Sequence, residues 1–140
     1  MALVWKDAYR TGHLTVDGDH EKLFAITNDF CAAKDVAAAK VTLGRLLDYA
    51  GSHFAREEAV LAACGPKPET LYFHQQSHAV LAKRLHALIL KFGGAADSRI
   101  VKETAALLEM WVFNHVVKDD VKIKPILEKH VTVKGKTAAR

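Results

Sequence analysis

Two pairs of polar side chains at helical spacing, with a helix break between them, constrain the fold of this chain most strongly. His53 and Glu57 are four residues apart, and so are His74 and His78. At that spacing two side chains lie on one face of an α-helix, one turn apart. The segment between the pairs, Cys-Gly-Pro-Lys-Pro at 64–68, is typical of a helix end followed by a new helix start. Because helices joined by so short a connection run antiparallel, we expect the two pairs to face each other.

The rest of the chain shows the same helical character. Half of its 140 residues are hydrophobic, whereas only eight are glycine and three are proline, which favours helices over a β-sandwich. Apolar residues recur at intervals of three and four and predict four helices, at about 19–34, 36–64, 67–92 and 98–120. Helices of this length with short loops predict an all-α fold, an antiparallel up-down-up-down four-helix bundle, as one domain over 1–140.

Both ends of the chain lie outside the four predicted helices. Residues 1–18 lack a sustained helical period, but Trp5 and Tyr9 indicate an ordered N-terminal arm whose aromatic rings pack across the bundle. Asp17 or Asp19 is expected to cap the first helix. In the tail at 121–140, Pro125 permits only a short helical turn.

Charge and hydropathy exclude several classes of protein. No apolar run reaches the roughly 18–20 residues that span a bilayer, and the first ten residues lack the apolar core of a signal peptide. We therefore expect a cytoplasmic protein with no membrane contact. The net charge of +4 has its excess near the C-terminus, without interleaved aromatic residues, which predicts a solvated tail and no nucleic-acid partner.

The two cysteines are not expected to form a disulfide. On the predicted antiparallel hairpin of the first two helices, Cys31 and Cys64 lie about 28 Å apart at about 1.5 Å per residue. A disulfide requires Cα atoms within about 7 Å of each other. We expect both cysteines to be small residues of the hydrophobic core.

Each predicted helix carries titratable residues within its apolar stripe. In an antiparallel bundle, the start of the first helix lies level with the end of the second, the start of the third and the end of the fourth. These residues are therefore expected to share one layer, and they are His20, His53, Glu57, His74, His78, His115 and Asp120. The remaining histidines fall outside this pattern and are not expected to be ligands; they are His13, His86 and His130.

A buried layer of seven polar groups indicates bound cations. Without compensation, burial would cost roughly several kcal/mol for each group, out of a total stability of about 5–15 kcal/mol. Five imidazoles are too many for one tetrahedral zinc ion, and two carboxylates are natural bridges between two cations. The pattern therefore predicts a dinuclear site, with iron or manganese favoured by the mixed nitrogen and oxygen ligands.

The ligand spacing resembles that of the hemerythrins. The matching positions are His20, His53-x-x-x-Glu57, His74-x-x-x-His78 and His115-x-x-x-x-Asp120. The N-terminal segments are similar to the bacterial branch, the bacteriohemerythrins, and comprise Trp5, Tyr9, Gly12 and Val16-Asp17-x-x-His20. The resemblance covers about residues 5–125. His13 replaces a branched aliphatic residue of that pattern and Asp19 replaces a glutamine. We expect these two residues to alter the packing of the arm or the hydrogen bonding around His20.

The resemblance implies a non-haem centre of two iron ions, bridged by an oxo or hydroxo group, with O2 as a ligand. It assigns His74, His78 and His115 to one iron. It assigns His20 and His53 to the other iron, which keeps an open position for O2, with Glu57 and Asp120 as bridges between the two. Four residues flank the ligands and are expected to line a dry O2 pocket, although they also fit a plain hydrophobic core; they are Phe54, Trp111, Val112 and Val116.

The function that the resemblance implies is reversible dioxygen binding, in oxygen storage, delivery or scavenging. We do not expect an enzyme, because di-iron oxygenases use carboxylate-rich ligand sets whereas this one has five neutral imidazoles. The expected partners are dioxygen and an electron donor or an O2-consuming enzyme, and the expected state is a monomer or a weak homo-oligomer. Three alternatives stay open: a sensor of O2, NO or redox state, an enzyme that turns over peroxide or nitric oxide at the same site, and a structural bundle without metal.

Overall fold

The computed structural model describes residues 2–93 and 97–129. Its four α-helices are α1 (Leu14–Cys31), α2 (Val36–Ala63), α3 (Pro68–Phe92) and α4 (Ser98–Phe113). Helix α1 packs against α2 and α4, and α2 packs against α3. The part of the chain described contains no β-strand. The architecture confirms the predicted all-α class and the four-helix bundle.

The break between the two paired motifs lies where the sequence predicts it. Helix α2 ends at Ala63 and α3 begins at Pro68, whose missing N–H is tolerated in the first turn of a helix. Gly65 has a φ of +68°, a left-handed conformation that a residue without a Cβ adopts at little cost. The connection is therefore short, and it holds the end of α2 beside the start of α3.

Helix α1 differs from the prediction at its start. It begins at Leu14, within the segment expected to be part of the arm, and neither predicted aspartate caps it. Asp17 instead reaches back to the arm, where its Oδ1 accepts hydrogen bonds from Thr11 N (2.7 Å) and Thr11 Oγ1 (2.8 Å) and its Oδ2 accepts one from Gly12 N (3.0 Å). The side chain of Asp17 therefore joins arm and helix, whereas Asp19 belongs to a network described below.

The N-terminal arm is ordered and packs as predicted. The ring centroids of Trp5 and Tyr9 lie 5.3 and 6.0 Å from that of Phe24 on α1. Tyr9 also makes an edge contact with Phe113, at the end of α4, at 5.9 Å. Edge-to-face pairs of this kind stabilise by about 0.5–1.5 kcal/mol beyond the buried area. The arm thus covers the seam between α1 and α4.

The chain after α4 is helical but irregular. A π-helical segment, Asn114–Asp119, continues α4 and leads into a 3-10 turn, Asp120–Lys122, where the sequence predicted an α-helix to about residue 120. Residues 124–129 form a further short helical stretch, as expected from Pro125 in its first turn. The predicted solvated tail lies mostly outside the described residues, which end at residue 129.

The hydrophobic core is divided into two clusters. The larger one contains residues of all four helices, among them Phe30, Leu43, Leu46 and Leu108, each 0% exposed. The smaller one consists of Val16, Leu61, Ile123 and Leu127. On α1, His20 lies between Val16 of the smaller cluster and Leu23 of the larger. The polar layer predicted from the sequence therefore separates the two clusters.

The cysteines form no disulfide in the part of the chain described. Both are half-buried. Cys64 packs against the smaller core cluster, in line with the expected core position, whereas Cys31 is a member of neither cluster. The Cys31 thiol donates a hydrogen bond to Glu109 Oε1 at 3.2 Å, and burial together with that carboxylate raises the pKa of Cys31 to about 11. Cys31 is therefore held as an unreactive thiol at neutral pH.

Among the described residues, no helix combines the length and the hydropathy needed to cross a bilayer.

Candidate metal centre

The structure brings all seven predicted ligand residues into one buried layer. Helix α1 supplies one of them, α2 two, α3 two, and the irregular segment after α4 the last two. None is more than 6% exposed. The residues are His20, His53, Glu57, His74, His78, His115 and Asp120. Their identity as metal ligands stays a prediction, but their convergence is a property of the fold.

The last two members of the layer depend on the π-helical segment. His115 and Asp120 are five residues apart, whereas the pairs on α2 and α3 are four apart. An α-helix turns two residues at a spacing of five well away from each other, but the wider π turn, with its i→i+5 hydrogen bonds, brings them back to one face. Asn114–Asp119 is π-helical, and Asp120 Oδ2 lies 3.3 Å from His115 Nε2. The five-residue spacing of His115 and Asp120 indicates a π-helical segment, but the search for an α-helical period did not detect it.

The side chains form two groups that share both carboxylates. In each group, the potential ligand atoms lie within 4.8 Å of one another. The first group contains His20, His53, His115, Glu57 and Asp120. The second contains His74, His78, Glu57 and Asp120. Two cations would therefore each have several donors and would share the two acidic residues.

Glu57 divides its two oxygens between the groups. Its Oε2 lies 3.0 Å from His20 Nε2 and 3.2 Å from His53 Nε2. Its Oε1 contacts His74 Nε2 and lies 3.0 Å from His78 Nε2. A carboxylate with one oxygen toward each of two donor sets is the geometry of a bridging ligand.

Asp120 is divided in the same way. Its Oδ2 lies 2.6 Å from His20 Nε2 and 3.3 Å from His115 Nε2, and its Oδ1 lies 3.3 Å from His74 Nε2. His115 groups here with His20 rather than with His74, the iron partner that the resemblance gave it. The division of the imidazoles between two ions therefore stays a prediction for His115.

Burial and close contact set the charges of the layer. Burial opposes ionisation of Glu57, but hydrogen bonds from four imidazoles outweigh it and hold the pKa of Glu57 well below its usual value. Burial and the neighbouring Glu57 raise the pKa of Asp120 well above its usual value. Burial lowers the pKa of His115 well below its usual value, which keeps this imidazole neutral with a lone pair available.

The seven side chains cannot satisfy all of their hydrogen-bonding atoms among themselves, and bound cations would satisfy the rest. All five imidazoles present Nε2 to the carboxylates. His53 Nε2 and His115 Nε2 are only 3.2 Å apart, so at most one of them carries a proton at that contact. Neither oxygen of Asp120 receives a well-formed hydrogen bond from any residue that the structure describes, although both are buried. Buried acceptors without donors cost about 1–3 kcal/mol each, and a cation would satisfy them.

Two further carboxylates contact the outer ring nitrogens of the layer. Asp19 Oδ2 lies 3.0 Å from His53 Nδ1, and Glu58 Oε2 lies 2.6 Å from His78 Nδ1. Glu58 was not expected at the layer, and Asp19, which was expected to act on the arm or on His20, contacts His53 instead. Asp19 is on α1 but faces α2, so its partner depends on how the two helices pack.

The four residues predicted to line a pocket lie in two environments. Phe54 stacks on His78 with ring centroids 4.3 Å apart and planes inclined by 15°, and Val112 and Val116 are buried in the larger core cluster. Trp111 is half-buried and lines a surface cavity of about 360 Å³, where the Arg84 guanidinium lies 5.7 Å from its ring centroid. Contact of these residues with O2 stays a prediction.

The two other histidines that the structure describes do not belong to the layer. His13 precedes α1 and His86 is an exposed residue of α3, and both lie outside the two ligand groups found among the described residues. His130 lies outside the described residues.

Comparison with known proteins gives a consistent result. A family model described as the Hemerythrin HHE cation binding domain matches residues 11–127. A Bacteriohemerythrin of Pseudomonas aeruginosa is 31% identical over 121 residues, which cover 84% of this chain and 76% of that protein. A Hemerythrin-like protein of Naegleria gruberi is 30% identical over 123 residues, which cover 88% of this chain and 92% of that protein.

The fold agrees with a solved structure as well. A crystal structure of wild-type hemerythrin superposes with a TM-score of 0.78 at 25% identity, covering 91% of this chain and 98% of that chain. The matched family model includes every residue of the buried polar layer, from His20 to Asp120. The chain belongs to the hemerythrin family.

Proposed function

We propose that this chain binds dioxygen reversibly at a centre of two iron ions held by the seven side chains of the polar layer. The observation that carries the proposal is that five imidazoles and two carboxylates converge at 0–6% exposure between two hydrophobic clusters. Membership of the hemerythrin family supports iron as the metal, and the relatives named Bacteriohemerythrin support the binding of oxygen.

Within this proposal, Glu57 and Asp120 would hold both iron ions. Each presents one oxygen to each donor group, so both can neutralise charge on two cations at once. His115 is held neutral by burial, and a neutral imidazole is the form that binds metal. When two ferrous ions are bound, they supply the two electrons that reversible O2 binding requires.

The residues around the layer exclude water. Phe54 covers His78 and also makes an edge contact with His115, at a centroid distance of 5.4 Å. Val112 and Val116 are 5% and 2% exposed. A dry surrounding slows side reactions that need water or protons. We therefore assign these three residues to the O2 pocket, and Trp111 to its outer edge.

The composition of the ligand set favours binding over turnover. Hemerythrins are oxygen-binding proteins rather than enzymes, and carboxylate-rich bundles use four glutamates in their di-iron sites, whereas this layer has two carboxylates in total. We propose that this chain is a carrier or store, with an electron donor or an O2-consuming enzyme as its partner, and that it is a monomer or a weak homo-oligomer. Steady turnover of peroxide or nitric oxide by the reduced protein, above that of free iron, would contradict this assignment.

The test is the iron content per chain combined with optical spectra under cycled oxygen. We expect two iron ions per chain and an absorption band that appears when the anaerobically reduced protein meets O2 and disappears when O2 is removed. His74→Ala should remove most of the iron and the band, whereas His86→Ala, an exposed change on the same helix, should remove neither. A protein that carries one zinc ion, or that oxidises without reversal, would refute the proposal.

A further inference from the structure

We propose that Asp19 is a positioning residue that fixes the orientation of His53 and lowers the reduction potential of the metal centre. The effect on the reduction potential rests on the proposed iron centre, whereas the orientation of His53 does not. It starts from the buried Asp19 carboxylate, which contacts His53, Tyr49 and Arg56.

The contact with His53 determines which ring nitrogen faces the metal layer. Asp19 Oδ2 is 3.0 Å from His53 Nδ1, and an ionised carboxylate can only accept a hydrogen bond. Nδ1 must therefore carry a proton, and the other ring nitrogen, Nε2, is the one that faces the layer. That atom is 3.2 Å from Glu57 Oε2, inside the layer. Asp19 thus fixes a proton on Nδ1 and sets the direction of the imidazole.

Asp19 is itself held from two sides. The Arg56 guanidinium forms a two-pronged contact, with Nε 2.9 Å from Oδ2 and Nη2 2.9 Å from Oδ1. The Tyr49 hydroxyl donates to Oδ1 at 2.6 Å, and burial together with Asp19 raises the pKa of Tyr49 to about 12. Asp19 is 6% exposed. These donors keep the Asp19 carboxylate ionised and fixed in position.

The three partners of Asp19 form one stripe on α2. Tyr49, His53 and Arg56 are spaced by four and three residues, so they lie on one face of the helix. Arg56 also lies over the ring of Tyr49, 5.3 Å from its centroid. One side chain of α1 therefore connects to three consecutive turns of α2, which resists rotation of His53.

The second ligand group offers an internal comparison. Glu58 Oε2 contacts His78 Nδ1 at 2.6 Å, but the Glu58 side chain is 27% exposed whereas that of Asp19 is 8% exposed. His53 and His78 belong to different ligand groups, so each prospective iron has one imidazole backed by a carboxylate. Water screens the charge of Glu58 more than that of Asp19. The electronic effect is therefore expected to be larger at His53.

Charge gives the reduction potential a predictable direction. A negative carboxylate beside a ligand stabilises the more positive, oxidised iron. Asp19→Asn removes that charge and leaves the positive Arg56, so the potential should rise. Arg56→Gln removes the compensating positive charge and leaves Asp19, so the potential should fall. A purely structural network would give no such opposite response, because both changes loosen the same contacts.

The experiment compares four full-length proteins: wild type, Asp19→Asn, Arg56→Gln and the matched control Glu58→Gln. Ferrous affinity is measured by competition with a chelator, the potential by spectroelectrochemistry, and folding by circular dichroism. We expect Asp19→Asn to lower iron affinity by about 10–100-fold and to raise the potential, and Glu58→Gln to do less of both. Equal effects of Asp19→Asn and Glu58→Gln, or shifts of Asp19→Asn and Arg56→Gln in the same direction, would overturn the proposal.

A measurement without iron separates this inference from the proposed function. The His53 tautomer is read by ¹⁵N NMR on the metal-free chain. We expect Nδ1 to be protonated throughout in wild type and only partly protonated in Asp19→Asn, because an amide can either donate or accept. An unprotonated fraction of Nδ1 already in wild type would overturn the positioning role. Failure of wild type to bind iron would overturn the proposed function and the predicted change in potential, while leaving the positioning role to be decided by NMR.

Discussion

The larger hydrophobic cluster and the polar layer are buried to the same degree but for opposite physical reasons. Leu43 and Leu46 are 0% exposed, and so are His53 and Glu57. The leucines need only each other, since their burial removes apolar surface from water. The polar side chains give up hydration, and Asp120 recovers no well-formed hydrogen bond from the described residues. The cluster therefore stabilises the bundle by itself, whereas we expect the polar layer to be stabilised by the cations that it binds.

Among the changes that test this difference, removal of the metal should have the largest effect on stability. Iron that binds the folded chain and not the unfolded one stabilises the fold, by about 4 kcal/mol at a free concentration 1,000 times the dissociation constant. We expect a chelator to lower the free energy of unfolding by about that amount, measured by denaturant titration of loaded and metal-free protein. The same stability in both states would show that the layer does not need a cation.

A cavity in the hydrophobic cluster should act independently of the metal. Leu46→Ala should lower the free energy of unfolding by about 2–5 kcal/mol, by the same amount with and without iron, in the same denaturant assay. Val41→Ala is the matched control, because Val41 is on the same helix but 67% exposed. Its effect should stay within about 0.5 kcal/mol. A cost of Leu46→Ala that depended on iron would mean that the two regions are coupled.

The N-terminal cap of α4 should have a smaller effect. Asp97 accepts a hydrogen bond from Ile100 N at 3.0 Å, and loss of such a cap costs about 1 kcal/mol. Asp97→Ala should therefore lower the unfolding free energy by about that amount and leave the iron content unchanged. Loss of iron in this variant would show that the start of α4 influences the layer at its other end.

The smallest expected effect is a dependence on pH. Hydrogen bonds from His53, Arg56 and Tyr49 outweigh burial and hold the pKa of Asp19 far below its usual value. The resulting stability is complete above the unfolded pKa of about 3.9 and is lost as the pH falls through the folded pKa. Screening by solvent makes this contribution to stability small, because the Arg56 side chain is 40% exposed.

The corresponding measurement is the difference in unfolding free energy between metal-free wild type and Asp19→Asn, at pH 5.5 and at pH 3. We expect wild type to be the more stable at pH 5.5 and the difference to shrink at pH 3. A difference that grew on acidification would contradict the ionised state of Asp19.

The bundle and the layer could be predicted because both depend on spacing along the chain. The four-residue pairs on either side of the break at 64–68 place polar side chains on two facing helices, and no tertiary information is needed. The early start of α1 could not be read in this way. Asp17 has the chemistry of a cap, but its carboxylate bonds to Thr11 and Gly12 in the arm, a choice made by tertiary contacts.

Two other features were missed for related reasons. A search for the α-helical period cannot reveal the π-helical Asn114–Asp119, although the five-residue interval between His115 and Asp120 was visible. The position of Asp19 against His53 depends on how α1 and α2 are rotated against each other. The rotation of the two helices follows from packing over their whole interface, which the spacing of residues along the chain does not reveal.

The most direct test of the account is a crystal structure of the anaerobically iron-loaded chain with anomalous difference maps at the iron edge. We expect two iron peaks in the polar layer, one bound by His20 and His53 and the other by His74 and His78, with Glu57 and Asp120 bonded to both. A single peak, a peak at the zinc edge instead, or an Asp120 carboxylate bonded to neither ion would contradict it.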